Sequence, residues 1–432
     1  MLKKLFRWFK NGDAKVKASI IPRSQHKISR NDINHNALKV LYRLHKAGFS
    51  AYLVGGCIRD LLLGIHPKDF DIATNASPEQ VRDLFYNCRL IGRRFRLAHV
   101  HFGRDIIEVA TFRSHHDVST VHSTHGMILN DNVYGTIEED VLRRDFTINA
   151  LYYNIADFSI VDFVGGMQDL SNRQLNIIGE PALRYREDPV RMLRAIRFAA
   201  KLGFTIHPKS AKSIHESNKL LSNIPAARLF EEYAKLFLTG HALNTFNMLC
   251  EYDLFKQLFP STAKFLPDNA LITNALRNTD MRISAGKSIA PSFLLAVFSW
   301  QPMLAQAKQN ISHGHVDFTA HSDAMDKILS EQQRIMAVPR RFVSMIRDVW
   351  ELQARLENKR SARQVAALFA LSKFRAAYDF LLLRSEAGEA AAIPAAKWWR
   401  TYVEADDATR EVMAAKIKPA KGGSKRKKSI PT

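Results

Sequence analysis

Two periodicities divide the chain. From about Asn36 to residue 180, short apolar stretches alternate with polar positions and glycine turns; beyond Pro181 the spacing is helical nearly to the end. Ala37 to Ala47 predicts a helix, Tyr52-Leu53-Val54 a short strand, and Cys57 to Leu63 a helix that Gly64 can end at positive φ. Lys68 to Thr74 predicts a second strand, with Phe70 and Ile72 turned to the core and Asp69 and Asp71 sharing the other face. Ile106 to Phe112 alternates as a further strand, and the His-, Ser-, Asn-, Asp- and Gly-rich residues 114–135 read as a mobile loop. The helical part is punctuated at Pro225, Pro260, Pro267, Pro339 and Pro394. The class is therefore α+β: a mixed head, then a helical body, then a tail.

Composition narrows this. Hydrophobic content of 46% supports packed cores. No apolar run approaches the roughly 18 residues of a membrane span, and no apolar segment with a cleavage site follows the basic start, so secretion is not expected. Three widely spaced cysteines form no CxxC, which fits a reducing cytoplasm and supplies no zinc framework.

The net charge of +21 lies mostly at the ends. Residues 1–30 hold nine Lys/Arg against Asp13, and residues 416–432 hold seven with no acid. Such arms suit a polyanion, either nucleic acid or an acidic membrane surface. In residues 1–10, Leu2, Leu5, Phe6 and Phe9 oppose Lys3, Lys4, Arg7 and Lys10. That amphipathic unit suits weak contact with the inner membrane surface or an apolar groove on its own protein.

The chemistry centres on Asp69 and Asp71. On one strand face their Cα atoms lie roughly 7 Å apart, and two carboxylates so placed can share a pair of Mg²⁺ ions for in-line nucleotidyl transfer. Gly55-Gly56, between strand and helix, offers backbone N–H groups and a positive dipole end to a phosphate. The order of strand, GGxxRD, helix, loop and DxD gives these common motifs their weight. A second pair, Gly165-Gly166, lacks the Arg-Asp and the strand–helix setting and reads as an ordinary turn. His116-Asp117, in the mobile loop, does not read as a phosphohydrolase signature.

A second constellation opens a helix at Asp188-Pro189, with Asp188 as N-cap and Pro189 as first helical residue. Arg191, Arg194 and Arg197 form a stripe, Leu193, Ile196 and Ala200 face inward, and Gly203 is a natural stop. Asp188 accepts and Arg191 donates, so together they complement adenine or cytosine but reject guanine and uracil.

Four motifs in order, GGCIRD, KDFDIAT, RRDFTINA and EDPVRMLRAIRF, resemble the superfamily of class II tRNA nucleotidyltransferases and bacterial poly(A) polymerases over roughly residues 37–260. The resemblance implies a polymerase β-like nucleotidyltransferase head at 37–178, a helical neck with the base-reading motif at 179–260 and a helical RNA-binding body at 261–405. These lie between a basic arm at 1–36 and a disordered basic tail at 406–432. It implies that Gly55, Gly56 and Arg59 hold the triphosphate and that Asp69 and Asp71 hold Mg²⁺. Arg143 and Arg144 would position the nucleotide, Asp188 and Arg191 read the base, and Arg194 and Arg197 support base or phosphates. A third carboxylate is expected from Asp145 or Glu108, with Asp145 preferred.

Leu90 to Val100 looks like the segment that marks poly(A) polymerases rather than CCA-adding enzymes. The expected activity is template-independent addition of AMP from ATP to RNA 3′ ends by a cytoplasmic monomer, with RNA-decay proteins as candidate partners. CCA addition to tRNA is the alternative, and an inactive RNA-binding adaptor a third reading.

Overall fold

The computed structural model describes residues 17–92, 96–114, 133–266, 269–358 and 361–417. The segment 1–10, most of the 114–135 loop including His116-Asp117, residues 93–95 of the Leu90–Val100 segment, Pro267, and residues 418–432 of the tail lie outside them. The chain divides into two compact units, 1–223 and 224–432.

The first unit is built on an eight-stranded sheet. Its elements run β1 (Ser19–Ile21), α1 (His35–Lys46), β2 (Ala51–Val54), α2 (Gly56–Leu63), β3 (Asp71–Thr74), α3 (Pro78–Leu84), β4 (Cys88–Ile91), β5 (Leu97–Phe102), β6 (Asp105–Thr111), α4 (Ile137–Arg143), β7 (Leu151–Asn154) and β8 (Ile160–Asp162). The strand order is β1-β8-β7-β2-β3-β6-β5-β4. Only β3 and β6 pair in parallel.

The two faces of this sheet differ. One buries Leu53, Ile72, Val100, Val109, Leu151 and Tyr153 with Val40, Leu41 and Leu44 of α1 and Val81 of α3 in the main core. The other carries a smaller cluster of Val54, Ala73, Phe112 and Tyr152 with Val141 of α4 and Ile178. Side chains alternate faces along a strand, so residues on this second face that are not covered by the small cluster stand open. Asp71 and Glu108 are among them.

Most predicted elements are present within a residue or two. The strand expected over Lys68–Thr74 is shorter: pairing begins at Asp71, and Asp69 lies on the approach to it. The alternation nevertheless holds, with Phe70 and Ile72 buried and both aspartates exposed.

Beyond β8 come α5 (Gly166–Ser171), β9 (Gln174–Leu175), α6 (Pro181–Glu187), α7 (Val190–Leu202), β10 (Thr205–Ile206) and α8 (Pro208–Ser217). β9 and β10 pair in parallel, a short sheet inside a stretch read as helical. Gly203 ends α7 in the left-handed conformation, as expected. Pro189 precedes rather than starts α7, and the Asp188 carboxyl accepts from the N–H of Val190 at 3.3 Å.

Gly165-Gly166 does sit between a strand and a helix, contrary to the sequence reading. Its backbone N–H groups are taken by the protein's own carboxylate. Asp162 accepts from Val164, Gly165, Gly166 and Met167 at 2.9–3.0 Å, so the nest that could bind a phosphate is filled from within.

The second unit is helical throughout its described residues, from Ala226–Phe237 to Asp407–Ala415. Prolines start its helices: Pro225 and Pro339 precede Ala226 and Arg340, and Pro260 opens a short helix. Pro394 instead lies in the first turn of Ala392–Glu404, where its missing N–H costs nothing. Aromatic side chains fill the interior, with Phe255, Phe259 and Phe298 within 4.8–5.5 Å of one another by ring centroid. Among the described residues no helix is long and apolar enough to cross a membrane.

Candidate active site

The turn between β2 and α2 sets the floor of the site. Gly55 has φ +83° and ψ −139°, a conformation essentially closed to other residues. A Cβ there would stand 3.8 Å from Arg144 Nη1 and 4.0 Å from Asp71 Oδ2, which places this turn, the arginine and the aspartate side by side.

Arg59, expected to reach phosphates, is instead buried beneath the turn. Its guanidinium donates to Asp60 Oδ1 at 2.8 and 2.6 Å and to Asn149 Oδ1 at 2.6 Å. A Cβ on Gly56 would lie 3.3 Å from Arg59 Nη2, so the guanidinium braces the glycine turn from below. The neighbouring Cys57 thiol is buried and donates to Val54 O, and burial pushes its pKa up to about 12. It is no nucleophile.

Acidic groups gather on the open face of the sheet. Ile72 of β3 pairs with Val109 of β6, so Asp71 and Glu108, each one residue earlier, adjoin on neighbouring strands. Solvent reaches Asp71, yet the protein around its carboxyl costs it hydration. That enclosure raises its pKa to about 6; Glu108 and Asp69 add to the rise and Arg144 opposes it. Among the described residues no three His, Cys, Asp or Glu side chains are already gathered closely enough to grip an ion.

Arg144 stands beside Asp71 and belongs to a group of arginines. Arg144 donates to Asp140 Oδ2 at 2.9 and 3.1 Å and to the Tyr152 hydroxyl at 2.7 Å, and Tyr152 donates to the same Asp140 oxygen. Burial opposes its charge, but Tyr152 and Asp140 hold its pKa above the ordinary value. Arg143 goes the other way: burial, then Arg113, Arg144, Arg184 and Arg191, bring it down to about 9. These guanidiniums concentrate positive charge around Arg143.

Arg184 of α6 carries no signal in the sequence beyond its place beside the EDPVR motif. It is buried and donates from Nη2 to the carbonyls of Arg143 and Arg144 at 2.8 and 2.6 Å, and from Nη1 to Glu187 at 2.8 Å. It thereby ties α6 to the end of α4.

The arginine stripe on α7 points the same way, with all three side chains half-buried. Arg191 donates to Glu187 at 3.0 Å and to the carbonyl of Arg184 at 2.9 Å. Arg194 donates to Asp145 Oδ2, and Asp145 Oδ1 accepts from the N–H of Phe146 at 2.8 Å and from Asn149 at 3.3 Å. The guanidiniums of Arg59, Arg194 and Arg197 surround the Phe198 ring at 5.1, 5.4 and 4.6 Å from its centroid. The structure thus brings Asp71, Glu108 and Arg144 together, and binds Asp145 into a separate pair with Arg194.

Three family models cover most of the chain. Residues 51–176 match a "Poly A polymerase head domain", residues 203–266 a "Probable RNA and SrmB- binding site of polymerase A", and residues 313–431 a "Polymerase A arginine-rich C-terminus". A poly(A) polymerase I of Escherichia coli O6:H1 is 50% identical over 90% of this chain and 86% of its own length. A CCA-adding enzyme of Lactobacillus helveticus is 36% identical, over 52% of this chain and 55% of its own. Among solved structures, the CCA-adding enzyme of Bacillus stearothermophilus in complex with CTP superposes with a TM-score of 0.58 at 26% identity, covering 84% of this chain and 80% of that one. Fold and site together define a nucleotidyltransferase with a sheet-based head and a helical body. Within that class, the chain belongs to the poly(A) polymerase I family.

Proposed function

We propose that this protein adds AMP from ATP to RNA 3′ ends without a template, releasing pyrophosphate. The observation that carries the reading is the meeting of Asp71 and Glu108 on adjacent parallel strands, beside Gly55 and facing Arg144. Likeness to poly(A) polymerase I along nearly the whole chain, against about half the chain for the CCA-adding enzyme, supports AMP as the added unit.

The acidic face fits a divalent cation, since Asp71 and Glu108 stand on adjacent strands with oxygen donors toward the open side. Asp69, Asp71 and Glu108 would hold Mg²⁺, which supplies positive charge to the phosphates and acidifies an attacking hydroxyl. Arg143 and Arg144 would neutralise the triphosphate, as guanidiniums brought together at the end of α4. Gly55 and Gly56 keep the turn low enough for phosphates to approach, and Arg59 keeps the turn rigid. Asp188 and Arg191 would read the adenine edge, with A preferred over C by the shape of the surrounding pocket.

Asp145 has a positioning role in this account. Its oxygens are engaged by Arg194, Asn149 and Phe146, so it fixes Arg194 beside the nucleotide while Glu108 completes the acidic face. Arg194 and Arg197, steadied on Phe198, then support base or phosphate. RNA 3′ ends and ATP are the partners this chemistry requires, in the cytoplasm.

The test is Asp71→Asn in full-length protein shown to be folded by circular dichroism. RNA extension should fall to near background while RNA affinity stays within a few-fold. Extension at near wild-type rate would remove Asp71 from the reaction.

A further inference from the structure

The open face of the head sheet continues past the two acids toward the β4 edge. The main core takes Ile107 and Val109 of β6, Ala98 and Val100 of β5, and Cys88 and Leu90 of β4. Glu108, His99 and Arg89 therefore turn to the other face. Strand register places them in one row with Asp71, across β3, β6, β5 and β4. In the next row Ile106 of β6 pairs directly with His101 of β5. Solvent reaches this surface: Ile106 is 47% exposed, His101 is half-buried, and Arg89 is exposed with no ion pair among the described residues.

In-line transfer decides what this surface meets. The attacking 3′ oxygen and the departing pyrophosphate oxygen lie on opposite sides of the α-phosphorus. Gly55 and Arg144, which would hold the triphosphate, lie on the β2–β7 side of Asp71. Gly55 follows β2, and Arg144 donates to Tyr152 of β7. Pyrophosphate then departs toward β2, and the hydroxyl enters over Glu108 on the β6 side. Behind that hydroxyl the RNA has β5 and β4 to lie on. The Arg89 backbone stands three strand spacings, roughly 14 Å, from Asp71, where a phosphate behind the terminal nucleotide would pass.

We propose that the open face of β4–β6 is the acceptor platform: Ile106 and the His101 ring carry the last base or ribose of the RNA, and Arg89 holds a phosphate behind it. The platform rests on Asp71 and Glu108 being the reacting acids. Its contacts are not base-specific, because a ring or an aliphatic group takes any base and a guanidinium any phosphate. It therefore seats whichever nucleotide ends the RNA, while choice among incoming nucleotides is made elsewhere.

Steady-state extension of a short RNA of about six nucleotides tests this, since so short an acceptor limits contacts elsewhere. Arg89→Ala should raise KM for the RNA about five-fold and flatten its log–log salt dependence by about 0.7. Arg89→Lys should restore that slope. His101→Ala should raise KM for the RNA about five-fold or more, and Ile106→Ser should raise it as well. KM for ATP should stay within about two-fold in every variant. Wild-type KM for the RNA in all of them, or a rise in KM for ATP alone, would overturn the inference.

A second measurement uses the wild-type chain. RNA ending in a photoreactive azidoadenosine is bound without ATP and irradiated, and the labelled tryptic peptides are identified by mass spectrometry. Label should fall on residues 97–104 or 105–113, which trypsin releases as separate peptides; label only on other peptides would overturn the inference. Asp71→Asn distinguishes the two readings. If it extends RNA normally, the reacting acids and the platform fall together. If it is inactive while Arg89→Ala, His101→Ala and Ile106→Ser keep wild-type KM for the RNA, the platform alone falls.

Discussion

Arg194 donates from both Nε and Nη2 to one oxygen of Asp145, at 2.8 and 2.5 Å, across 49 residues of sequence. Burial alone would raise the Asp145 pKa. The charge and hydrogen bonds of Arg194, with Asn149 and the Phe146 N–H, outweigh it and hold the group at about 2.

A folded-state pKa below the ordinary 3.8 means that this carboxylate stabilises the fold above about pH 4 and loses that contribution as pH falls from 3.8 toward 2. Asp145→Asn should therefore cost about 2 kcal/mol at neutral pH. Urea unfolding of both proteins between pH 6 and pH 3 should show the difference narrowing only at the acid end. A difference that stays constant, or widens, as the solution is acidified would contradict the pairing.

The two glycine pairs should respond differently to substitution. Gly55→Ala forces a side chain into φ +83°, ψ −139°, at a cost of about 1–3 kcal/mol. Because Arg144 and Asp71 are its neighbours, RNA extension should fall more than the loss of stability explains. Gly165 has φ +79°, ψ +23°, and a Cβ there meets nothing within 4 Å. Gly165→Asn should cost about 1 kcal/mol and leave the catalytic rate unchanged. Melting temperature and extension rate, measured on both variants, check the contrast; equal loss of rate would contradict it.

Arg184→Ala should be a poor structural substitution, because it strips partners from the carbonyls of Arg143 and Arg144 and from Glu187 together. A destabilisation of about 3 kcal/mol is expected. Arg184→Lys should recover less than half of it, since an ammonium cannot span two carbonyls and a carboxylate in one plane. Denaturant midpoints read this directly, and full rescue by lysine would mean that charge alone matters there.

Much of the head was legible because local rules and the fold agree. Alternation around Phe70 and Ile72 put Asp69 and Asp71 on the open side even though strand pairing starts only at Asp71. Gly64 and Gly203 end their helices at positive φ, as their positions suggested. What the sequence hides is register between strands distant along the chain. Glu108 stands next to Asp71 because β6 pairs with β3 across two intervening strands, and no local pattern encodes that neighbour. The choice between Glu108 and Asp145 turns on this register and on Arg194, which lies 49 residues beyond Asp145. The Gly165-Gly166 nest had a readable signal that went unused: Asp162 sits a few residues before it, within reach of its N–H groups.

The central claim is that the site adds A, and only A, to RNA without a template. Purified protein with Mg²⁺ and an unstructured RNA oligomer, supplied with one nucleoside triphosphate at a time, tests it most directly. ATP should extend the oligomer by many residues, CTP by few or none, and GTP and UTP by fewer still. Arg191→Ala should slow ATP addition and narrow the gap between ATP and the others, because the partner of adenine N1 is lost. If the oligomer is left untouched while a trimmed tRNA receives C, C and A and then no more, the protein is a CCA-adding enzyme and the claim is wrong.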